Sequence, residues 1–135
     1  MSATLIFSII TTSLMLILVY NLFFDLINAI KGNAPNLSST KKDTNNIKSI
    51  YNFSPKQKVT DLGAGCGHIL NSLKTKDVSI DGYEINPLLY LYLKFKFRTH
   101  ENINILKKDF LKANLSKYDV LIIYGSDKVM QKLED

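Results

Sequence analysis

A chain of 135 residues has room for one ordinary domain, and 46% apolar with 21% charged side chains excludes a disordered polyelectrolyte. The net charge of +5 comes from scattered lysines without interleaved loop aromatics, a pattern that argues against nucleic acid as the partner. The single cysteine, Cys66, excludes an intrachain disulfide and a cysteine-built metal site; with no HExxH pair and no Gly-Lys-Ser/Thr phosphate loop, no metal is expected.

From Ala3 to Phe24 no side chain is charged, and Leu, Ile, Phe and Val dominate. About 22 helical residues reach roughly 33 Å, enough to cross a hydrocarbon core of about 30 Å. The hydroxyls of Thr4, Ser8, Thr11, Thr12 and Ser13 can bond back to helix carbonyls, and Tyr20 suits an interface. Past Asp25 the apolar pattern weakens through Leu26, Ile27, Ala29 and Ile30, and Lys31, Gly32 and Pro35 supply a helix stop. Residues 1–31 therefore predict a single-pass transmembrane anchor. A cleaved signal peptide would open with Lys or Arg, whereas this chain opens Met-Ser-Ala-Thr-Leu. Lys31, Lys41, Lys42 and Lys48 follow the helix and none precedes it. The rest of the chain is thus expected on the cytoplasmic side, which for a mitochondrial inner membrane means the matrix side.

Residues 32–56 read as a polar, turn-rich linker. Within it Thr40 is placed to cap a short helix over roughly 41–52, with Ile47, Ile50 and Tyr51 on one face and Pro55 beyond its end. From residue 57 the rhythm changes. Strands are predicted over Lys58–Leu62, Val78–Tyr83, Ile103–Leu106 and Val120–Tyr124, the last apolar enough to be buried on both faces. Helices are predicted from His68 to Lys74, with Ile69, Leu70 and Leu73 inward, from Pro87 to about Arg98, and from Lys128 to Leu133. Strand alternating with helix predicts a doubly wound, Rossmann-like α/β domain over 57–135, with a mainly parallel sheet of about four strands. In the second helix Tyr90, Tyr92, Phe95 and Phe97 point all around the axis, which reads as packing, with membrane contact as a second use.

The string Val59-Thr60-Asp61-Leu62-Gly63-Ala64-Gly65-Cys66-Gly67 closes a strand and opens a helix, where only glycine turns sharply at low cost and lets a ligand reach the backbone. Asp61 would repel the pyrophosphate that a dinucleotide loop receives at this place, and the spacing is Gly-x-Gly-x-Gly rather than Gly-x-Gly-x-x-Gly. It suits a cofactor with an ammonium and a sulfonium and no phosphate, namely S-adenosylmethionine. Glu84, ending the next strand, can accept both ribose hydroxyls. Asp109 and Phe110 follow the third strand, where an acid can take the adenine amino group and an aromatic can cover the ring. Cys66 reads as a small residue of the loop, and His68 as a neutral imidazole at a helix N-terminus.

In this order the three elements resemble motif I, post-motif I and motif II of class I S-adenosylmethionine-dependent methyltransferases. The resemblance implies that Asp61, Gly63, Gly65 and Gly67 line the methionine and ribose part of the cofactor. It also implies that Glu84 holds the ribose, and Asp109 with Phe110 the adenine. An apolar helix, then Ala34-Pro35, then Tyr83-Glu84-Ile85-Asn86-Pro87-Leu88 and Tyr118-Asp119-Val120-Leu121-Ile122-Ile123-Tyr124-Gly125 is similar to small membrane-anchored methyltransferases. Their mitochondrial members methylate lysines of the ATP synthase c-ring protein and of the adenine nucleotide translocase, so protein lysine is the substrate that this narrower resemblance implies.

Tyr124 and Asp127 stand on the acceptor side of such folds, but no catalytic base is assigned. Ile-Tyr-Gly-Ser-Asp lacks the Asn/Asp-Pro-Pro-Tyr/Phe signature of enzymes acting on exocyclic base amines. The family's sheet carries more strands than this sequence predicts, so the expectation is a cofactor-binding half without its closing strands and with little turnover by itself. Two other classes stay open at this point: an inactive or partner-dependent cofactor-binding interaction module, and a nicotinamide dehydrogenase.

Overall fold

Two units, Met1–Pro35 and Asn36–Asp135, make up the computed structural model, which describes residues 1–30, 47, 51–74, 77–124, 130 and 131. The first holds helix α1, Ala3–Ile30, whose 28 residues span about 42 Å. Several of its polar side chains bond back to helix carbonyls. The Thr11 hydroxyl donates to the carbonyls of Phe7 and Ser8, the Thr12 hydroxyl to that of Ser8 at 2.6 Å, and the Asn21 amide to that of Ile17 at 2.8 Å. By length and composition Ala3–Asn28 suffices to cross a membrane, and none of its most apolar window is buried. The helix runs on past Asp25 to Ile30, because a single charge does not stop a helix whose backbone bonds are all internal. The stop expected at Lys31, Gly32 and Pro35 lies outside the described residues, as does most of the helix expected over 41–52; of it, Ile47 is helical and packs on the core.

The second unit is a parallel sheet of four strands among the described residues, β1 (Lys58–Leu62), β2 (Ser79–Tyr83), β3 (Ile103–Leu106) and β4 (Val120–Ile123), in the order β3-β2-β1-β4. Helices α2 (His68–Leu73) and α3 (Pro87–Lys96) make the crossovers. Register pairs Val59 with Ile80 and Val120, and Ile80 with Ile103. With a side-chain period of two, Val59, Ile80, Ile103, Ile105 and Ile122 therefore share one face. Ile69, Leu70 and Leu73 of α2, with Leu93 of α3 and Phe97 at its end, complete a buried core on that face. The helix sits close because β2 carries Gly82 there; a Cβ on it would stand 2.9 Å from Leu70 Cδ1. Asn86 starts α3 as its N-cap, its Oδ1 accepting from the backbone of Leu88 at 2.9 Å and Leu89 at 3.4 Å, with Pro87 at the first helical position.

On the opposite face Asp81 gathers the segment that leads to β4. Its carboxylate accepts from the Tyr118 hydroxyl, from Asn104 at 3.1 Å and from Lys117 at 3.2 Å, while the Tyr118 and Tyr83 hydroxyls pair at 3.1 Å. Burial alone would push the Asp81 carboxyl up, but the hydrogen bonds from Tyr118, Asn104 and Lys117 outweigh it and hold the group below the usual carboxylate range. Asp119 ties the same segment to β1 by accepting from the Lys58 backbone at 2.8 Å.

Two expectations need correction. β4 is not buried on both faces: Ile122 is buried, but Leu121 is 49% exposed, because no described element covers that face. The aromatics of α3 are not all packing either. Phe97 is buried and Tyr90 lies against the core, whereas Tyr92 and Phe95 face outward with Leu91.

Gly67, at φ 72°, joins the glycine loop to α2, and a Cβ there would meet Leu93 Cδ2 at 2.6 Å and Phe97 Cε2 at 2.8 Å. Gly67→Ala combines a left-handed backbone penalty with overpacking. It should lower unfolding free energy by about 2–4 kcal/mol, measured by urea titration of the detergent-solubilised chain.

Candidate functional site

The C-terminal ends of β1, β2 and β3 bring the candidate residues together. The loop after β1 turns through three left-handed glycines, with φ of 87° at Gly63, 53° at Gly65 and 72° at Gly67. Four of its amides are engaged within the protein. Gly63 and Ala64 donate to the Tyr83 carbonyl at 3.0 and 2.8 Å, Gly67 donates to the Ala64 carbonyl at 2.7 Å, and Gly65 donates to Glu84 Oε2 at 2.8 Å. The other Glu84 oxygen accepts from the Asn86 backbone at 2.7 Å. Glu84 is thus buried and turned onto the backbone of both loops, a more internal placement than a carboxylate reserved for ribose hydroxyls; a carboxylate has about four acceptor sites, so the two functions are compatible.

Asp61 lies beneath the loop, 2% exposed. Burial, and after it the nearby charge of Glu84, pushes its carboxyl up to about 7. Its Oδ2 is buried without a hydrogen-bond partner. An orphaned carboxyl oxygen is costly unless a donor reaches it, and a cationic donor would also favour its ionised form. The chemistry of this spot fits an ammonium group.

Phe110 and Asp109 stand after β3. The Phe110 ring borders the glycine loop, its Cε1 3.8 Å from where a Cβ on Gly63 would lie. Asp109 caps the short 3-10 turn Phe110–Lys112, accepting from the Leu111 backbone at 3.1 Å, and lies 3.9 Å from Lys112 Nζ. It also lines a cavity of about 530 Å³ with Tyr83, Lys108, Lys112, Ala113, Asn114 and Lys117. Sequence reasoning gave no role to these lysines or to Asn86. Asn86 carried a readable signal, an N-cap residue directly before a helix-opening proline. The lysines carried none. Tyr124 follows β4 and is 45% exposed; Asp127 lies outside the described residues. Among the described residues no group of three or more His, Cys, Asp or Glu is placed to hold a metal.

The family model described as the ANTKMT methyltransferase domain matches residues 61–135. The chain is 30% identical over 79 residues to the ATP synthase C-subunit lysine N-methyltransferase of Xenopus laevis, covering 56% of this chain and 35% of that protein. It is 34% identical over 87 residues to ribosomal RNA small subunit methyltransferase A of Mycoplasma mobile, covering 63% and 34%. The chain therefore spans about a third of the length of these curated relatives. Among solved structures, an RNA methyltransferase from Salinibacter ruber in complex with S-adenosyl-L-homocysteine superposes with a TM-score of 0.67 at 22% identity, covering 73% of this chain and 67% of that one. That likeness is one of fold.

The Asp61 carboxyl gives a pH test. A folded-state value raised from 3.8 to about 7 means that the folded chain holds a proton the unfolded chain releases. Stability without ligand should then fall as pH rises through this window, by at most about 1.4 kcal/mol per pH unit. Asp81, shifted the other way, acts below this window. Thermal melts between about pH 5 and about pH 7.5 should show a decline that Asp61→Asn flattens.

Proposed function

From the premise that this chain belongs to the ANTKMT methyltransferase domain family, we propose that it is an S-adenosylmethionine-dependent methyltransferase, held at a membrane by α1 and acting on lysine side chains of membrane proteins. In this reading residues 1–31 are the anchor, 32–56 a linking segment and 57–135 the cofactor domain, on the cytoplasmic or matrix side to which Lys31, Lys41, Lys42 and Lys48 point. One observation carries the cofactor assignment. The amides of Gly63, Ala64, Gly65 and Gly67 are all taken within the protein, while a buried acidic oxygen of Asp61 lacks a donor. A pyrophosphate needs free loop amides and tolerates no carboxylate, whereas an ammonium needs the reverse.

Asp61 would receive the methionine ammonium, and Gly63, Gly65 and Gly67 would let the ligand approach the backbone. Glu84 would take the ribose hydroxyls beside its two amide donors, Asp109 the adenine amino group, and Phe110 one face of the ring. When bound, S-adenosylmethionine would supply a sulfonium methyl that passes in line to the acceptor as its C–S bond breaks and S-adenosylhomocysteine leaves. The protein's part is alignment and exclusion of water. The acceptor lysine must arrive neutral from an ordinary pKa of about 10.4, which an apolar acceptor pocket favours. The likeness to ribosomal RNA methyltransferase A supports a second reading with RNA as acceptor.

Transfer of a labelled methyl group from S-adenosylmethionine separates these readings. The full chain in nanodiscs, offered membrane proteins or ribosomal RNA, should label protein lysine, at the low turnover expected of a sheet of about four strands. Label confined to RNA would favour the second reading, and no label with either would leave a cofactor-binding module. By calorimetry S-adenosylhomocysteine should bind and NAD should not. Asp61→Asn should weaken that binding by about 1.5–3 kcal/mol, the scale of a hydrogen bond to a charged group.

A further inference from the structure

Helix α3 is apolar on two sides. Leu93, with Phe97 just past the helix end, is buried in the core, whereas Leu91, Tyr92 and Phe95 are 61%, 48% and 68% exposed. At about 100° per residue these three form one contiguous outward stripe. Cations flank it on both edges, Lys94 and Arg98 on one and Lys96 on the other, and the helix itself, Pro-Leu-Leu-Tyr-Leu-Tyr-Leu-Lys-Phe-Lys, carries no acid. The Arg98 guanidinium lies 4.2 Å over the Phe95 ring, and Lys96 Nζ 5.3 Å from the Tyr92 ring. Cationic heads thus stand around exposed aromatic rings.

We infer that this face of α3 is a second membrane contact, lying flat on an anionic lipid surface with Leu91, Tyr92 and Phe95 among the acyl chains and Lys94 and Arg98 at the phosphates, while Lys96 Nζ stays on the Cys66 carbonyl at 2.7 Å. A protein partner would meet a stripe ringed by three positive charges. An anionic bilayer meets the same stripe with matching charge at its surface and matching apolarity beneath. Tyr and Phe next to Lys and Arg are the residues that settle where headgroups meet hydrocarbon. The inference rests on the reading of α1 as an anchor only in that α1 keeps the chain beside a bilayer. A contact here would set the orientation of the cofactor cleft, since α3 begins at Asn86, whose backbone amide Glu84 holds.

The test uses the full chain with its single cysteine removed as Cys66→Ser and an environment-sensitive fluorophore on Phe95→Cys or on Ser116→Cys. Ser116 is exposed in the segment pinned to the other face of the sheet. Protein is reconstituted with phosphatidylcholine vesicles, with or without phosphatidylglycerol, and flotation is scored beside iodide quenching. The expected result is flotation with both lipids, and a roughly twofold or greater fall in quenching at position 95 only with the anionic lipid. Position 116 should not change, and Lys94→Glu with Arg98→Glu should abolish the fall. Flotation with anionic vesicles alone would support the α3 contact and reject the anchor. Flotation with both lipids and equal quenching at 95 and 116 would reject the α3 contact and keep the anchor. Flotation with neither would reject both. Shielding of position 95 that follows protein concentration instead of lipid composition would identify a second copy of the chain as the occupant and overturn the inference.

Discussion

A single buried carboxylate, Glu84, holds the two loops of the site in one geometry. It accepts from Gly65, 19 residues before it, at 2.8 Å and from Asn86 at 2.7 Å, joining the turn after β1 to the start of α3. Bonds of this kind, from backbone amides to an ionised acceptor, are roughly twice as strong as neutral ones. The left-handed glycines make the tight turn sterically possible, but they do not select it, because glycine is equally free to adopt other conformations. Glu84 selects it. Its position follows from β2: the Glu84 amide donates to the Leu106 carbonyl at 3.0 Å, so the sheet continues one residue past Tyr83 to place the carboxylate.

The consequence is electrostatic. A fixed charge at Glu84 raises the cost of ionising Asp61, which burial has already made high. Two acids under one loop, with the amides above them engaged, form a site that rejects anions and gains from a cation. A methionine ammonium would offset the repulsion between the acids as well as satisfying Asp61 Oδ2, so ligand and site are complementary in charge.

Much of this could be read from residue order. β1 and β3 have the predicted bounds, Lys58–Leu62 and Ile103–Leu106, because β-branched runs that end in glycine or polar residues leave little choice of register. The placement of Asp61 and Glu84 at successive strand ends followed from the βαβ rhythm alone. The contact of Asp81 with Tyr118 did not, since 37 residues separate them and nothing in either segment's pattern pairs it with the other. Nor did the direction of Glu84: sequence put an acid at the strand end but could not say that its oxygens would turn inward onto backbone amides. The exposure of Leu121, and which of the α3 aromatics face outward, escaped for a related reason. Periodicity identifies apolar faces; it does not count the elements available to cover them.

Those uncovered faces differ in what can cover them. Leu121 belongs to β4, an edge among the described strands, where apolar side chains sit beside backbone groups not paired on that side. Lipid cannot satisfy such groups, so an open strand edge is unsuited to hydrocarbon and calls for another polypeptide. The exposed stripe of α3 has no such difficulty. The backbone of a helix bonds internally, and the C-terminal Phe97 amide donates to the Leu93 carbonyl at 2.9 Å, so the face presents side chains alone. A surface made of Leu91, Tyr92 and Phe95 with cations at its borders is compatible with acyl chains in a way that an equally apolar strand edge is not. Secondary structure, more than hydrophobicity, therefore decides which of the two exposed apolar surfaces can belong to the bilayer.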